Sequence, residues 1–162
     1  MRFHTRSRQL CALGSAVVLA ATVAGCQAAA ASSGQDFLDY PAKNAEYQAA
    51  QRLLTLPVGV RWPGGAPGDQ KNSSYERGAG ASDAEWYWFC SWSREWLAQH
   101  GKDPARTQQA MHQLLTVKDK RLYSVASAPE TRTATDGYLR KAELGDPSGL
   151  DRDVALNCPT PA

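Results

Sequence analysis

Residues 82–101 read SDAEWYWFCSWSREWLAQHG and hold four of the five tryptophans in the chain. At about 100° per residue, these tryptophans lie on one wide apolar arc of a helix. The remaining arc is small and carries Tyr87, Ser91, Arg94 and Glu95. Ser82 and Glu85 have the spacing of a capping box, and Gly101 is placed to end the helix. An arc this wide predicts a central helix that packs against neighbours on more than one side.

Helix signals also occur on both sides of this segment. Further helices are predicted at about 41–54, 103–120 and 133–144, with a last start at Asp146-Pro147. Asp103-Pro104 is a similar start signal, with Asp as N-cap and Pro as first helical residue. The first helix is expected to turn Tyr47, Ala50, Leu53 and Leu54 inward. Because no convincing strand pattern occurs, the predicted class is all-α, with four to five helices packed around the Trp-rich helix.

One long Gly/Pro-rich loop is predicted over 64–81, after an extended segment at 56–63. Loops of this length are uncommon inside a compact domain and are usually functional or disordered. The composition leaves both interpretations open.

The N-terminus has the three-part layout of an export signal. Three arginines precede an apolar stretch at 10–23, and Val23-Ala24-Gly25-Cys26 follows. This tetrapeptide resembles the lipobox of bacterial lipoproteins, in which the Cys is acylated and becomes the first mature residue. The apolar stretch is shorter than the roughly 20 residues that a spanning helix needs. Ordinary secretion without a lipid, with cleavage near 21–28, remains the alternative.

The resemblance implies a protein at the cell membrane, anchored by lipid on the extracytoplasmic face. The expected organisation is a signal peptide (1–25), a flexible tether (26–35), one helical domain (36–158) and a short tail (159–162). Removing the leader takes three of the 18 basic residues and leaves 15 against 16 acidic ones. The remaining sequence therefore has no basic patch of the kind that indicates a nucleic-acid partner.

Two cysteines remain once Cys11 leaves with the leader and Cys26 takes the lipid. An even number in an exported protein predicts a disulfide between Cys90 and Cys158. The alternative is two buried free thiols. The aromatic run at 86–92 and the Cys-terminated end also resemble uncharacterised small envelope lipoproteins. That resemblance supports the same pairing but does not point to any particular activity.

Three residues are predicted to contact a ligand or partner. Trp62 lies beside the Gly-rich loop and Trp88 lies at the edge of the apolar arc, so these tryptophans are the ones expected to be exposed. Arg77 lies where the loop leads into a helix start, whose backbone amides could hold an anion. The alternative is that the tryptophans are core residues and that the loop simply ends in a capped helix.

No catalytic residue, metal site or cofactor is predicted. Cys90 lies in mid-helix, where its thiol is not activated, and His100 and His112 lack a metal-ligand spacing. Of the acids near the tryptophans, Glu85 is assigned to the capping box, which leaves Asp83 and Glu95. The favoured hypothesis is a non-enzymatic lipoprotein that binds a protein or envelope component. The alternative is an envelope hydrolase or carbohydrate-active protein that uses exposed Trp and acidic residues.

Overall fold

The computed structural model describes residues 37–68 and 70–160. Its strands are β1 (Phe37–Leu38) and β2 (Tyr75–Glu76), and its α-helices are α1 (Tyr40–Gln51), α2 (Ala79–Gln99), α3 (Pro104–Leu115), α4 (Pro129–Glu143) and α5 (Ser148–Asn157). A 3₁₀ helix (Thr116–Asp119) and a π-helix (Leu122–Ala126) separate α3 from α4. This part of the chain is largely helical, which confirms the predicted class. The predicted leader, Cys26 and the tether lie outside the described residues.

Two short strands were not predicted. β1 and β2 pair antiparallel, with Phe37 opposite Glu76 and Leu38 opposite Tyr75. A period of two needs about four residues before it can be recognised in a sequence. Strands of two residues carry no such signal.

Helix α1 begins one residue earlier and ends three residues earlier than predicted. The Asp39 side chain caps it by accepting from the Ala42 amide at 2.9 Å. Tyr47 is buried as expected, but Leu53 lies beyond the helix and is 85% exposed. The predicted inward position of Leu53 is therefore wrong, because the helix does not extend far enough to turn it towards the core.

The predicted capping box at Ser82 is also wrong. Helix α2 begins at Ala79, and its N-cap is Gly78, whose φ of 87° favours glycine. The carboxylate of Glu46 on α1 accepts from the Gly78 amide at 2.9 Å and from the Gly80 amide at 3.3 Å. A side chain from another helix thus neutralises the positive start of α2.

The middle of α2 is buried on nearly every side. Its large buried residues are Tyr87, Trp88, Phe89, Trp92 and Trp96. Tyr87 is only 4% exposed and Ser91 is also buried, so α2 is covered at these positions outside the apolar arc too. The Ser91 hydroxyl donates to the Tyr87 carbonyl at 2.8 Å, which satisfies it inside the helix. Helix α2 contacts α1, α3 and α5.

The loop that precedes α2 is held against α1 by buried Lys43. The Lys43 ammonium pairs with Asp83 Oδ2 at 2.7 Å, donates to the Pro67 carbonyl and lies 4.1 Å from the Tyr75 ring centroid. Asn44 accepts from the Ala66 amide at 2.9 Å. The last three residues of the predicted loop belong to α2. The described part of the loop is therefore packed onto the helices at several points.

Helix α3 begins where its sequence signal places it but ends at Leu115, five residues before its predicted end, and α5 begins one residue later than the Asp146-Pro147 signal indicates. Asp103 caps α3 by accepting from the Arg106 amide at 3.1 Å, as predicted. Helix α4 begins at Pro129, four residues before its predicted start. Asp146 accepts from the Ser148 amide at 2.9 Å at the start of α5. The π-helix was not predicted.

A disulfide joins α2 to the end of α5. The sulfur atoms of Cys90 and Cys158 are 2.07 Å apart, in agreement with the predicted pairing. The Arg94 guanidinium donates to the Pro159 carbonyl, so the residue after the disulfide is also held to α2.

Candidate functional site

Trp86 is the half-buried tryptophan of α2 and lines three cavities in the described part of the chain. Its ring stacks on Phe89 with the ring centroids 5.9 Å apart and an angle of 16° between the planes. One face of α2 carries the two rings because they are three residues apart. Two of these cavities also share Thr131 and Thr135, and they differ in chemistry.

The first cavity, the apolar pocket, has a volume of about 140 Å³. Its apolar wall consists of Trp86, Phe89, Val117, Leu122 and Tyr123. Leu122 and Tyr123 belong to the π-helix, and such helices are frequent at functional sites. The hydroxyl-bearing residues Ser127, Thr131 and Thr135 complete the lining. This pocket provides an apolar surface with a few polar atoms, as small-molecule sites commonly do.

The second cavity, the polar groove, has a volume of about 520 Å³. Its lining combines the aromatic rings of Trp86 and Tyr138 with Ala134 and with five polar residues, Glu130, Thr131, Thr135, Asp153 and Asn157. Trp86, Thr131 and Thr135 line both cavities. A ligand in one cavity therefore lies next to the other.

Asp153 is the buried carboxylate of the polar groove. It is 6% exposed, and its Oδ1 accepts from Asn157 Nδ2 at 2.8 Å. No other hydrogen bond and no ion pair reaches this carboxylate from the described residues. Burial raises the pKa of Asp153 above its ordinary value, and the hydrogen bond from Asn157 opposes this rise. A buried carboxylate without a cationic partner lowers stability, which is a common property of functional sites.

The raised pKa of Asp153 predicts how Asp153→Asn changes stability. Ionisation is harder in the folded than in the unfolded chain, so stability falls as pH rises from about 4 through the folded pKa. Asparagine keeps the acceptor for Asn157 and removes the charge. We expect the variant to match or exceed the wild-type stability at pH 7 and to lose this advantage below about pH 4. Thermal unfolding at both pH values measures it.

The control for this prediction is Asp151→Asn, which removes an exposed carboxylate from the same helix. A variant at Asp153 that is clearly less stable than this control at pH 7 would contradict the prediction.

The structure treats the three predicted contact residues differently. Trp88 is 1% exposed, so its predicted exposure is wrong. Neighbouring residues cover α2 at the position that the sequence analysis took as the edge of its apolar arc. Trp62 is half-buried, with its ring centroid 5.4 Å from that of Tyr87 and 6.2 Å from that of Tyr47. Arg77 is exposed, and its carbonyl accepts from Arg121 at 2.7 Å. A solvent-facing groove lined by Trp62 and Trp88 does not form.

The acidic residues and the cysteine that the sequence offered as candidates for chemistry all have structural partners. Asp83 pairs with Lys43, and Glu85 accepts from the Leu122 amide at 2.6 Å instead of capping α2. Glu95 pairs with Arg106 at 2.6 Å. Cys90 is in the disulfide.

The two histidines of the described chain also lie apart from the cavity pair. His100 stacks on Trp96 with the ring centroids 4.5 Å apart, and His112 is exposed. Among residues 37–68 and 70–160, no three His, Cys, Asp or Glu side chains are grouped as metal ligands would be. Within the same ranges, no helix has the length and apolar character to cross a membrane.

Sequence reasoning missed Trp86, Tyr138, Glu130 and Asp153 as site residues. Trp86 was placed in the core with Trp92 and Trp96 because its arc position is apolar. Asp153 carried a usable signal, since it lies three residues after Leu150 and therefore on the buried face of α5. A carboxylate on a buried face needs a partner or a function.

No family model, no curated protein and no solved structure matches this chain. Its function is therefore inferred from the geometry around Trp86 and from the N-terminal sequence.

Proposed function

We propose that this protein is a lipid-anchored, extracytoplasmic binding module without enzymatic activity, and that its ligand site is the cavity pair around Trp86. The main observation in support of this site is that the two cavities meet at Trp86. One half-buried indole ring lines both an apolar pocket and a groove with five polar side chains. Indole rings are frequent in binding sites because they combine a large apolar face with a polar N–H.

The membrane anchor rests on Val23-Ala24-Gly25-Cys26 and on the charged, apolar and small-residue order before it. A pairing of Cys90 with Cys158 is compatible with this location, since disulfides persist in oxidising compartments. A diacylglyceryl group would supply the two acyl chains that stable anchoring requires.

We expect Cys26→Ser to abolish lipid attachment and to leave an unprocessed or released protein. Fractionation and intact mass measurement of the chain from cells of a bacterium that lipidates such proteins test this. The matched control is Cys11→Ser, which changes the other leader cysteine and should leave lipidation intact. A processed Cys26→Ser protein that still fractionates with membranes would contradict the anchor.

Helix α2 is the central structural element in this proposal. Four of its aromatic residues belong to the larger core cluster, namely Trp88, Phe89, Trp92 and Trp96. Its contacts with α1, α3 and α5 support that position. The core role of these rings leaves Trp86, nearer the start of α2, as the ring available to a ligand.

The binding site is tested by ligand-observed NMR on the full chain in lipid nanodiscs, with a library of single-ring compounds. We expect the compounds that bind the wild type to show no binding response with Trp86→Ala. They should still bind Leu144→Ala, which removes an exposed apolar side chain elsewhere. Equal loss in both variants, or no binding at all, would contradict a site at Trp86.

A hydrolase or carbohydrate-active protein is the second candidate. Glu130 and Asp153 line the same groove, and a carboxyl group with a raised pKa is suited to general acid catalysis. Product formation from soluble peptidoglycan fragments, lost with Glu130→Gln, would favour this candidate. The absence of product is the result that the binding proposal expects.

A further inference from the structure

We infer that the cavity pair around Trp86 binds a small organic cation, with one ring in the apolar pocket and an amine beside Asp153 and Glu130 in the polar groove. This inference rests on the proposed binding function and names its ligand class. Size, wall chemistry and charge each contribute to it.

The apolar pocket has the size of one six-membered ring. Its volume of about 140 Å³ is close to the roughly 150 Å³ of an engineered apolar cavity that binds benzene. The stacked rings of Trp86 and Phe89 form part of its wall. Aromatic walls favour an aromatic guest in edge-to-face or offset geometry. A larger fused system would exceed this volume and extend into the groove.

The polar groove is acidic. Glu130 and Asp153 line it, and no Lys, Arg or His does so among the described residues. Asp153 Oδ1 accepts from Asn157, while Oδ2 has no donor in the described part of the chain. An ammonium group in the groove would supply that donor and the missing positive charge. The Trp86 ring adds a cation–π surface beside it.

A single ligand can reach both cavities because Trp86, Thr131 and Thr135 belong to both linings. Its ring and amine therefore need only a short linker. An anionic ligand would place its charge against two carboxylates, and a neutral ligand would leave Asp153 without a counter-charge. The preferred class is thus an arylalkylamine or a compound of that shape.

Isothermal titration of the full chain in zwitterionic nanodiscs tests the charge preference, with empty nanodiscs as blank. The probes are 2-phenylethylamine, 2-phenylethanol and phenylacetate, which share a ring and differ in charge. We expect the amine to bind about tenfold more tightly than the alcohol, and phenylacetate not to bind. Asp153→Asn should weaken the amine about tenfold and leave the alcohol unchanged, whereas Asp151→Asn should change neither.

Three results would overturn the inference, and they separate it from the proposed function. If the alcohol or the acid binds as tightly as the amine and this binding is lost in Trp86→Ala, the cation preference is wrong but the binding site at Trp86 is supported. Equal effects of Asp153→Asn and Asp151→Asn on the amine exclude a direct role of Asp153. No binding of any probe removes the inference and the proposed site together.

Discussion

Reduction of the Cys90–Cys158 disulfide is expected to lower the free energy of unfolding by about 4 kcal/mol. The bond joins residues 68 positions apart, and the chain-entropy model assigns a loss of this size to the release of such a loop. Since a domain of this size is commonly stable by about 5–15 kcal/mol, the reduced protein should lose between about a quarter and about four-fifths of its stability. Urea unfolding with and without a thiol reductant measures the change.

The control for this prediction is Cys158→Ser, which removes the bond at its half-buried end. We expect the variant to be as unstable as the reduced wild type and to be insensitive to reductant. Equal unfolding midpoints for oxidised and reduced wild type would contradict the prediction, as would two free thiols titrated in the unreduced native protein.

Trp88→Ala is expected to destabilise the fold by about 3–5 kcal/mol. The Trp88 side chain is 1% exposed and belongs to the larger core cluster. Truncation removes its buried apolar area and leaves a cavity that the rigid neighbouring helices cannot fill. The measurement is the free energy of unfolding in urea, with the disulfide intact.

Trp86→Ala and Leu53→Ala provide the comparison for this prediction. Leu53 is 85% exposed, so its truncation should change stability by less than about 0.5 kcal/mol. Trp86→Ala should fall between the two because the ring is half-buried. A Trp88→Ala variant as stable as Leu53→Ala would show that Trp88 is not a core residue.

Local capping rules predicted the start of α3 correctly. The start of α3 at Asp103-Pro104 depends on a side chain and an amide three residues apart, which a sequence displays directly. The start of α2 depends instead on Glu46, which is 32 residues before Gly78. No rule based on neighbouring residues can identify such a cap, so Ser82 was assigned the role by default.

Burial was harder to predict than helix position. Periodicity places residues on an arc of α2, but it does not show how many neighbours surround the helix. Periodicity therefore did not show that Tyr87 and Ser91, which lie outside the apolar arc, are buried as well. The same gap led to the expectation that Trp88 is exposed, when Trp86 has the accessible ring.

The candidate site depends on contacts between segments far apart in the sequence. Trp86, Glu130 and Asp153 come from α2, α4 and α5, and they share the polar groove only after these helices pack. A carboxylate on the buried face of α5 was the available signal. Sequence reasoning did not use that signal for Asp153, and no sequence signal identifies the aromatic ring that lies beside it.

Amide hydrogen exchange of the full chain tests the central claim most directly, namely that ligand binds at Trp86. It is measured with and without the tightest-binding of the three ring probes. We expect slower exchange in residues 116–135, which contribute the π-helix and the start of α4 to the cavity pair, and no change in α1. Protection confined to α1 and the loop before α2, or no protection by a bound probe, would contradict a ligand site at Trp86.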